Sequence, residues 1–199
     1  MTQAERDHQG ETSEAGAAIF AIDGRASRFT IQAFATGLLS AMGHNPVIGV
    51  RDLSGQVTFD PERKHARGFK LSIKSSSLSV ENDVSAKDRS EMERLMNQEV
   101  LETTRFPEIA YEATQISIQG LGGALFSATL SGALTLHGVT RNLSIPARVA
   151  LLGSMLRASG DFTLRQSDFD IKPVSVAGGA LKIKDELKLS FEIVARGQD

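Results

Sequence analysis

The chain is dominated by short runs in which apolar and polar residues alternate. Residues 19–23 are a brief apolar run closed by Gly24. In residues 27–36, Phe29, Ile31 and Ala33 share one face, and Arg28, Thr30 and Gln32 the other. Period-two alternation predicts strands with one oily face. Residues 47–59 predict one or two strands around Gly49 and Gly55. In residues 68–75, Phe69, Leu71 and Ile73 face one way and Lys70, Ser72 and Lys74 the other, with Leu78 and Val80 extending the strand after a kink. Further strands are predicted over 109–118, 124–137, 143–152, 155–165 and 181–194. In the last, Leu187, Leu189, Phe191 and Ile193 alternate with polar neighbours. The segment Leu134 to Pro146 reads as strand, turn, strand: Gly138 permits the bend, and Pro146, which has no N–H, belongs at a strand end, an edge or a bulge.

The period changes once. Ser85 with Asp88 three residues on resembles a capping box. Met92, Leu95 and Met96 follow at helical spacing, with Arg89, Glu91, Glu93 and Arg94 on the other faces. This helix must stop by Arg105, because Pro107 drives Phe106 out of helical geometry. About eight strands with frequent turn signals and one helix predict an all-β antiparallel barrel or sandwich. The predicted organisation is a disordered tail over residues 1–17 and one β domain over residues 18–197.

Composition narrows the function classes. There is no cysteine, which excludes disulfides, thiolate metal sites and a cysteine nucleophile. A net charge of -2 gives no electrostatic case for nucleic acid or anionic membrane. Tryptophan is absent and Tyr111 is the only tyrosine, against 10 phenylalanines, so the aromatic residues suit packing or an apolar pocket. No stretch approaches the roughly 18 apolar residues of a membrane-spanning helix. The N-terminus lacks an apolar signal core, so a cytoplasmic location is expected.

The order of segments resembles the YceI-like family, lipocalin-like barrels associated with polyisoprenoid or other amphiphile binding. The resemblance covers roughly residues 20–196. It rests on residues 54–61 (SGQVTFDP), on Leu95, Val100, Leu101 and Arg105-Phe106-Pro107-Glu108-Ile109, on Leu134-Thr135-Leu136-His137-Gly138-Val139-Thr140, and on residues 162–169 with Ser167-Asp168-Phe169. This chain departs from the pattern at Asn142, where proline is frequent, and at Asp170, where glycine is common. It departs again at Glu91-Met92, and at Ile171-Lys172-Pro173-Val174, which replaces an asparagine-tryptophan segment. The resemblance implies an eight-stranded lipocalin-like barrel with one covering helix, and as partner an isoprenoid, quinone or fatty-acid-like molecule.

An amphiphile requires a long apolar cavity with a few polar groups at its mouth. The rows Phe29/Ile31, Phe69/Leu71/Ile73, Leu134/Leu136, Phe162/Leu164 and Leu187/Leu189 can line one or be ordinary core, since alternation alone does not say which face points inward. Met92, Leu95 and Met96 can form an adaptable lid or a fixed plug. Residues 37–46 read as a mouth loop, with His44 the candidate polar contact. The candidate ligand contacts are therefore His44, Leu39, Met42, Phe29, Ile31, Phe69, Leu71, Met92, Met96, Leu136, Phe162 and Phe169. No cofactor and no metal is predicted: His8, His44, His65 and His137 show no ligand spacing. His137 reads as a residue that fixes its turn by donating to a carbonyl. Ser167 has no nucleophile elbow around it, and Asp168 reads as a turn residue. The leading expectation is non-enzymatic binding. Its alternatives are a hydrolase or isomerase with a His44/His137 site, and an interaction module acting through a homodimer face.

Overall fold

Alternation produces strands here, and closure disposes of their edges. The structure, a computed structural model, describes residues 17–37, 45–60 and 65–198; residues 1–16, most of the predicted tail, lie outside the described residues. The strands are β1 (Ala18–Ile22), β2 (Arg28–Gln32), β3 (Ala35–Thr36), β4 (Val47–Val50), β5 (Leu53–Asp60), β6 (His65–Lys74), β7 (Leu78–Val80), β8 (Glu108–Gly122), β9 (Leu125–Leu136), β10 (Val139–Leu152), β11 (Met155–Arg165), β12 (Ser175–Val176), β13 (Leu181–Ile183) and β14 (Glu186–Gly197). A helix, α1 (Ala86–Leu95), follows β7 and runs into a wider turn over Met96–Val100. The chain forms a closed eight-stranded antiparallel barrel in the order β1-β5-β6-β8-β9-β10-β11-β14, with β14 returning to β1. A small sheet, β12-β13-β3, lies beside it.

β14 carries the closure. One edge pairs with β11 from Glu186↔Arg165 to Arg196↔Met155. The other pairs first with β2, at Lys188 to Glu192, and then with β1, at Ala195 to Gly197. Between the two ladders the loop 23–27 satisfies Val194: its carbonyl accepts from Asp23 N at 2.8 Å, and its N–H donates to Ser27 Oγ at 3.0 Å. β4 and β5, like β6 and β7, are likewise successive halves of one barrel position. The first break falls at Arg51-Asp52 and not at Gly49 or Gly55; the second is the 3₁₀ turn Ser75–Ser77, the kink predicted before Leu78.

β7 pairs with β4 and, among the described residues, has no strand beyond it. The helix fills that place with side chains. Glu93 Oε1 accepts from Val80 N at 2.9 Å, and the Arg89 guanidinium donates to the carbonyls of Val80 and Asn82. α1 starts as predicted: Ser85 Oγ accepts from Asp88 N at 3.1 Å and donates to the Asp88 carboxylate.

The Leu134–Pro146 segment forms the tip and arms of the β9–β10 hairpin. Leu136 pairs with Val139, leaving His137 and Gly138 as the turn, with φ of 52° and 75°. Positive φ at both centres makes the turn whose twist suits a hairpin. Pro146 lies within β10, just beyond Arg148↔Ser159, where the recorded β10–β11 pairing ends, so its missing N–H falls where the ladder has already lapsed.

We expect Glu93→Ala to strand the Val80 amide at an uncovered edge and to cost about 1–2 kcal/mol. Hydrogen exchange should show faster exchange at Val80 and in α1, with β8 to β11 unchanged.

Candidate functional site

All five apolar rows turn inward, and together they line a cavity of about 620 Å³ inside the barrel. Pockets that hold small organic ligands run from about 300 to 1,000 Å³, so this is the size of a ligand site. The five rows supply much of the wall. Ile116, Ile118, Phe126 and Ala128 extend it towards one end, and Met92, Leu95 and Met96 border the other. Aromatic contacts stiffen the wall: Phe29 stacks on Phe191 at 6.3 Å between ring centres and meets Phe162 edge-on at 6.4 Å.

Few polar groups reach this space. Tyr111, on β8, is 4% exposed. Its hydroxyl donates to the carbonyls of Leu130, at 2.8 Å, and Leu143, at 3.1 Å. Burial pushes the phenol up to about 12. Gln166 is buried and donates through Nε2 to the Lys184 carbonyl at 2.9 Å. Both groups are thus engaged with backbone. Carboxylates occur at the helix end, where Asp88 and Glu91 line the rim. Glu91 is exposed, and its bond with Arg94 at 2.9 Å lowers its pKa below the ordinary range.

Of the predicted contacts, Phe29, Ile31, Phe69, Leu71, Met92, Met96, Leu136 and Phe162 are on the cavity wall. Leu39, Met42 and His44 lie outside the described residues. Phe169 is a correction. It is 3% exposed, buried in the core of the barrel end and not part of the wall. It belongs to the turn Gln166–Phe169, which follows β11. Its carbonyl lies 3.3 Å from His137 Nδ1, and Arg141 Nε donates to the neighbouring Asp168 carbonyl at 3.0 Å. His137 therefore fixes its turn as predicted, in a left-handed conformation supported by that contact and by the Phe106 ring 4.4 Å away. The departures from the family pattern fall at this end and at the rim. Asp170 adopts φ of 55°, the conformation that glycine takes without strain. Ile171 and Val174 supply wall, as Met92 does.

The arrangement offers apolar volume more than reaction chemistry. Ser167 N and Oγ both donate to the Asp185 carboxylate, at 2.8 and 2.6 Å, so Ser167 is committed to a turn. Among the described residues no cluster of histidine and carboxylate groups could hold a metal ion. Sequence reading missed the wall formed by Ile22, Val57, Phe59, Ala66, Ile116 and Ile118. An inserted residue at Thr114 shifts the β8 register between Ala113 and Gln115, so Tyr111/Ala113 and Ile116/Ile118 face inward although a single alternation cannot contain both.

A closed antiparallel barrel with a covering helix and a ligand-sized apolar interior is the architecture of a lipocalin-like binding protein. Residues 20–195 match the YceI-like domain, and the chain belongs to that family. It is 28% identical over 165 residues to a UPF0312 protein of Shewanella baltica, covering 79% of each chain. To a UPF0312 protein of Pseudomonas aeruginosa it is 29% identical over 147 residues, covering 70% of this chain and 71% of that one. Among solved structures it resembles a polyisoprenoid binding domain from Saccharophagus degradans, with a TM-score of 0.66, 15% identity and coverage of 90% and 98%. It also resembles Burkholderia cenocepacia BcnA, with a TM-score of 0.65, 18% identity and coverage of 87% and 98%. At these identities the structural likeness speaks for the fold.

Tyr111 supplies a pH test. Its phenol ionises near 10 in the unfolded chain and near 12 in the fold. Stability should hold below pH 10, fall as pH rises from 10 to 12, and flatten above. As the sole tyrosine, its ionisation can be followed by tyrosinate absorbance. Tyr111→Phe should remove this alkaline fall while costing about 1 kcal/mol near neutrality.

Proposed function

We propose that this protein is a non-enzymatic binder that holds one apolar or amphiphilic molecule (a polyisoprenoid, a quinone or a fatty-acid-like chain) along the barrel axis. The observation that carries this reading is the 620 Å³ cavity. At roughly 30 Å³ per water-sized group it has room for about 20 non-hydrogen atoms. Its walls are aliphatic and aromatic, and its Tyr111 and Gln166 groups are already bonded to backbone, so a hydrocarbon gains its transfer free energy there without stranding a polar group. The solved Saccharophagus degradans domain, described as polyisoprenoid binding, supports the same class of ligand. Met92 and Met96 on the helix side suit a rim that reshapes around chains of different bulk. A cytoplasmic site of action belongs to the same proposal.

Native mass spectrometry of the protein isolated from cells should show a bound apolar molecule, and farnesol or hexadecanoic acid should displace a fluorescent apolar probe from it. Ala128→Phe, which places a ring in the cavity, should weaken probe binding by about tenfold or more without lowering the thermal midpoint. Binding that is unaffected by this ring would move the ligand outside the barrel and sink the proposal.

A further inference from the structure

Backbone pairing around the barrel is not continuous along its length. The β6–β8 ladder runs from Lys74↔Glu108 to Phe69↔Ala113 and stops there. Below that rung β6 continues back to His65 paired only with β5, and β8 continues to Gly122 paired only with β9. Both strands carry irregularities near this level, between Thr58 and Phe59 in the β5–β6 ladder and between Ala113 and Gln115 in the β8–β9 ladder. Bulges bend and twist a strand, and two on neighbouring strands steer them apart. The split holds an outer groove of about 640 Å³. Ala66 and Ile116 line both this groove and the barrel cavity, so the two spaces share a thin apolar wall.

The groove differs in chemistry from the cavity. Its other walls are His65, Arg67, Thr114, Gln115, Ser117, Thr129 and Ser131: a guanidinium, an imidazole, hydroxyls and an amide, with no carboxylate among the described residues. Arg67 is exposed, and among the described residues no ion pair engages it. The nearby Glu112, on the last rungs of the ladder, is held by Lys70 at 3.0 Å. The helix-end rim differs, since Asp88 and Glu91 line it, Glu91 being paired with Arg94.

We propose that the β6–β8 split is a second, lateral mouth of the cavity, where Arg67 and His65 hold the anionic headgroup of an amphiphile whose tail passes between Ala66 and Ile116 into the barrel. This rests on the apolar-ligand reading above and narrows it to ligands with a phosphate- or carboxylate-like head. An uncharged chain binds by its tail alone, whereas an anionic one gains a charge-assisted, bidentate contact to the guanidinium.

The test is titration of the full-length protein and of Arg67→Gln and Arg67→Lys with hexadecanoic acid, hexadecyl phosphate and hexadecanol, and with inorganic phosphate alone. The wild-type protein should bind the two anionic chains about tenfold more tightly than the alcohol. Arg67→Gln should bind all three as it binds the alcohol, and Arg67→Lys should recover only the part of the preference that a point charge supplies without the bidentate geometry. Inorganic phosphate alone should bind far more weakly than hexadecyl phosphate. A preference for anions that survives in Arg67→Gln overturns the lateral headgroup site while leaving the apolar-ligand reading intact. Inorganic phosphate binding as tightly as hexadecyl phosphate reduces the groove to a free-anion site and overturns it too. Failure of hexadecanol and both anionic chains to bind the wild-type protein overturns both readings.

Discussion

Every strand of a barrel must find a partner on both sides, and in this protein that requirement converges on β14. A single strand of 12 residues pairs along one edge with β11 and along the other with two shorter strands in succession. The loop between those strands returns two hydrogen bonds to Val194 and so leaves no unpaired backbone at the junction. The same economy governs β7, whose free edge is covered by Glu93 and Arg89 of the helix. The helix is thus a side-chain substitute for a missing strand as well as a cover, and this is why it stands immediately after β7 in the chain.

Where pairing lapses, the structure is functionally informative. Between β10 and β11 it lapses near Pro146, and the turn Gln166–Phe169, tied to His137 and Arg141, reaches that end. Between β6 and β8 it lapses with no comparable turn among the described residues, and there an outer groove with a cationic side chain lies against the cavity wall. The two lapses have different surroundings: a buried phenylalanine turn meets one, and polar strand faces flank the other.

Much of this was legible in the sequence. Phe69/Leu71/Ile73 and Leu187/Leu189 could be assigned to one face because a strand has a fixed period, and the helix start followed from Ser85 and Asp88 because a cap is a local interaction. What alternation could not supply was the sign of each face or the places where the period slips. Thr114 inserts one residue into β8 and moves Ile116 and Ile118 to the inside. Phe169, predicted to touch ligand, is drawn into the core by a turn whose partners, His137 and Arg141, lie about 30 residues earlier on another strand. Distant pairings of this kind leave no mark in a local pattern. Asp170, by contrast, did leave one: it departs from the glycine that the family resemblance leads one to expect, and it sits in the left-handed conformation that glycine adopts most easily.

The chemistry of the cavity also constrains what can occupy it. Tyr111 and Gln166, whose polar groups could greet a ligand inside, already donate to carbonyls within 2.9 Å. A ligand carbonyl placed mid-barrel would lose its water and find neither of these donors free, at about 1–3 kcal/mol. A molecule with polarity confined to one end escapes that penalty if the end lies at an opening. On the proposed reading the barrel would select by excluding polarity from its middle, and the lateral mouth would add a sorting by charge, since carboxylates border the helix end and Arg67 borders the split. On that reading an apolar chain satisfies the interior wherever its head lies, and discrimination between amphiphiles of equal length falls to these few side chains and not to the wall.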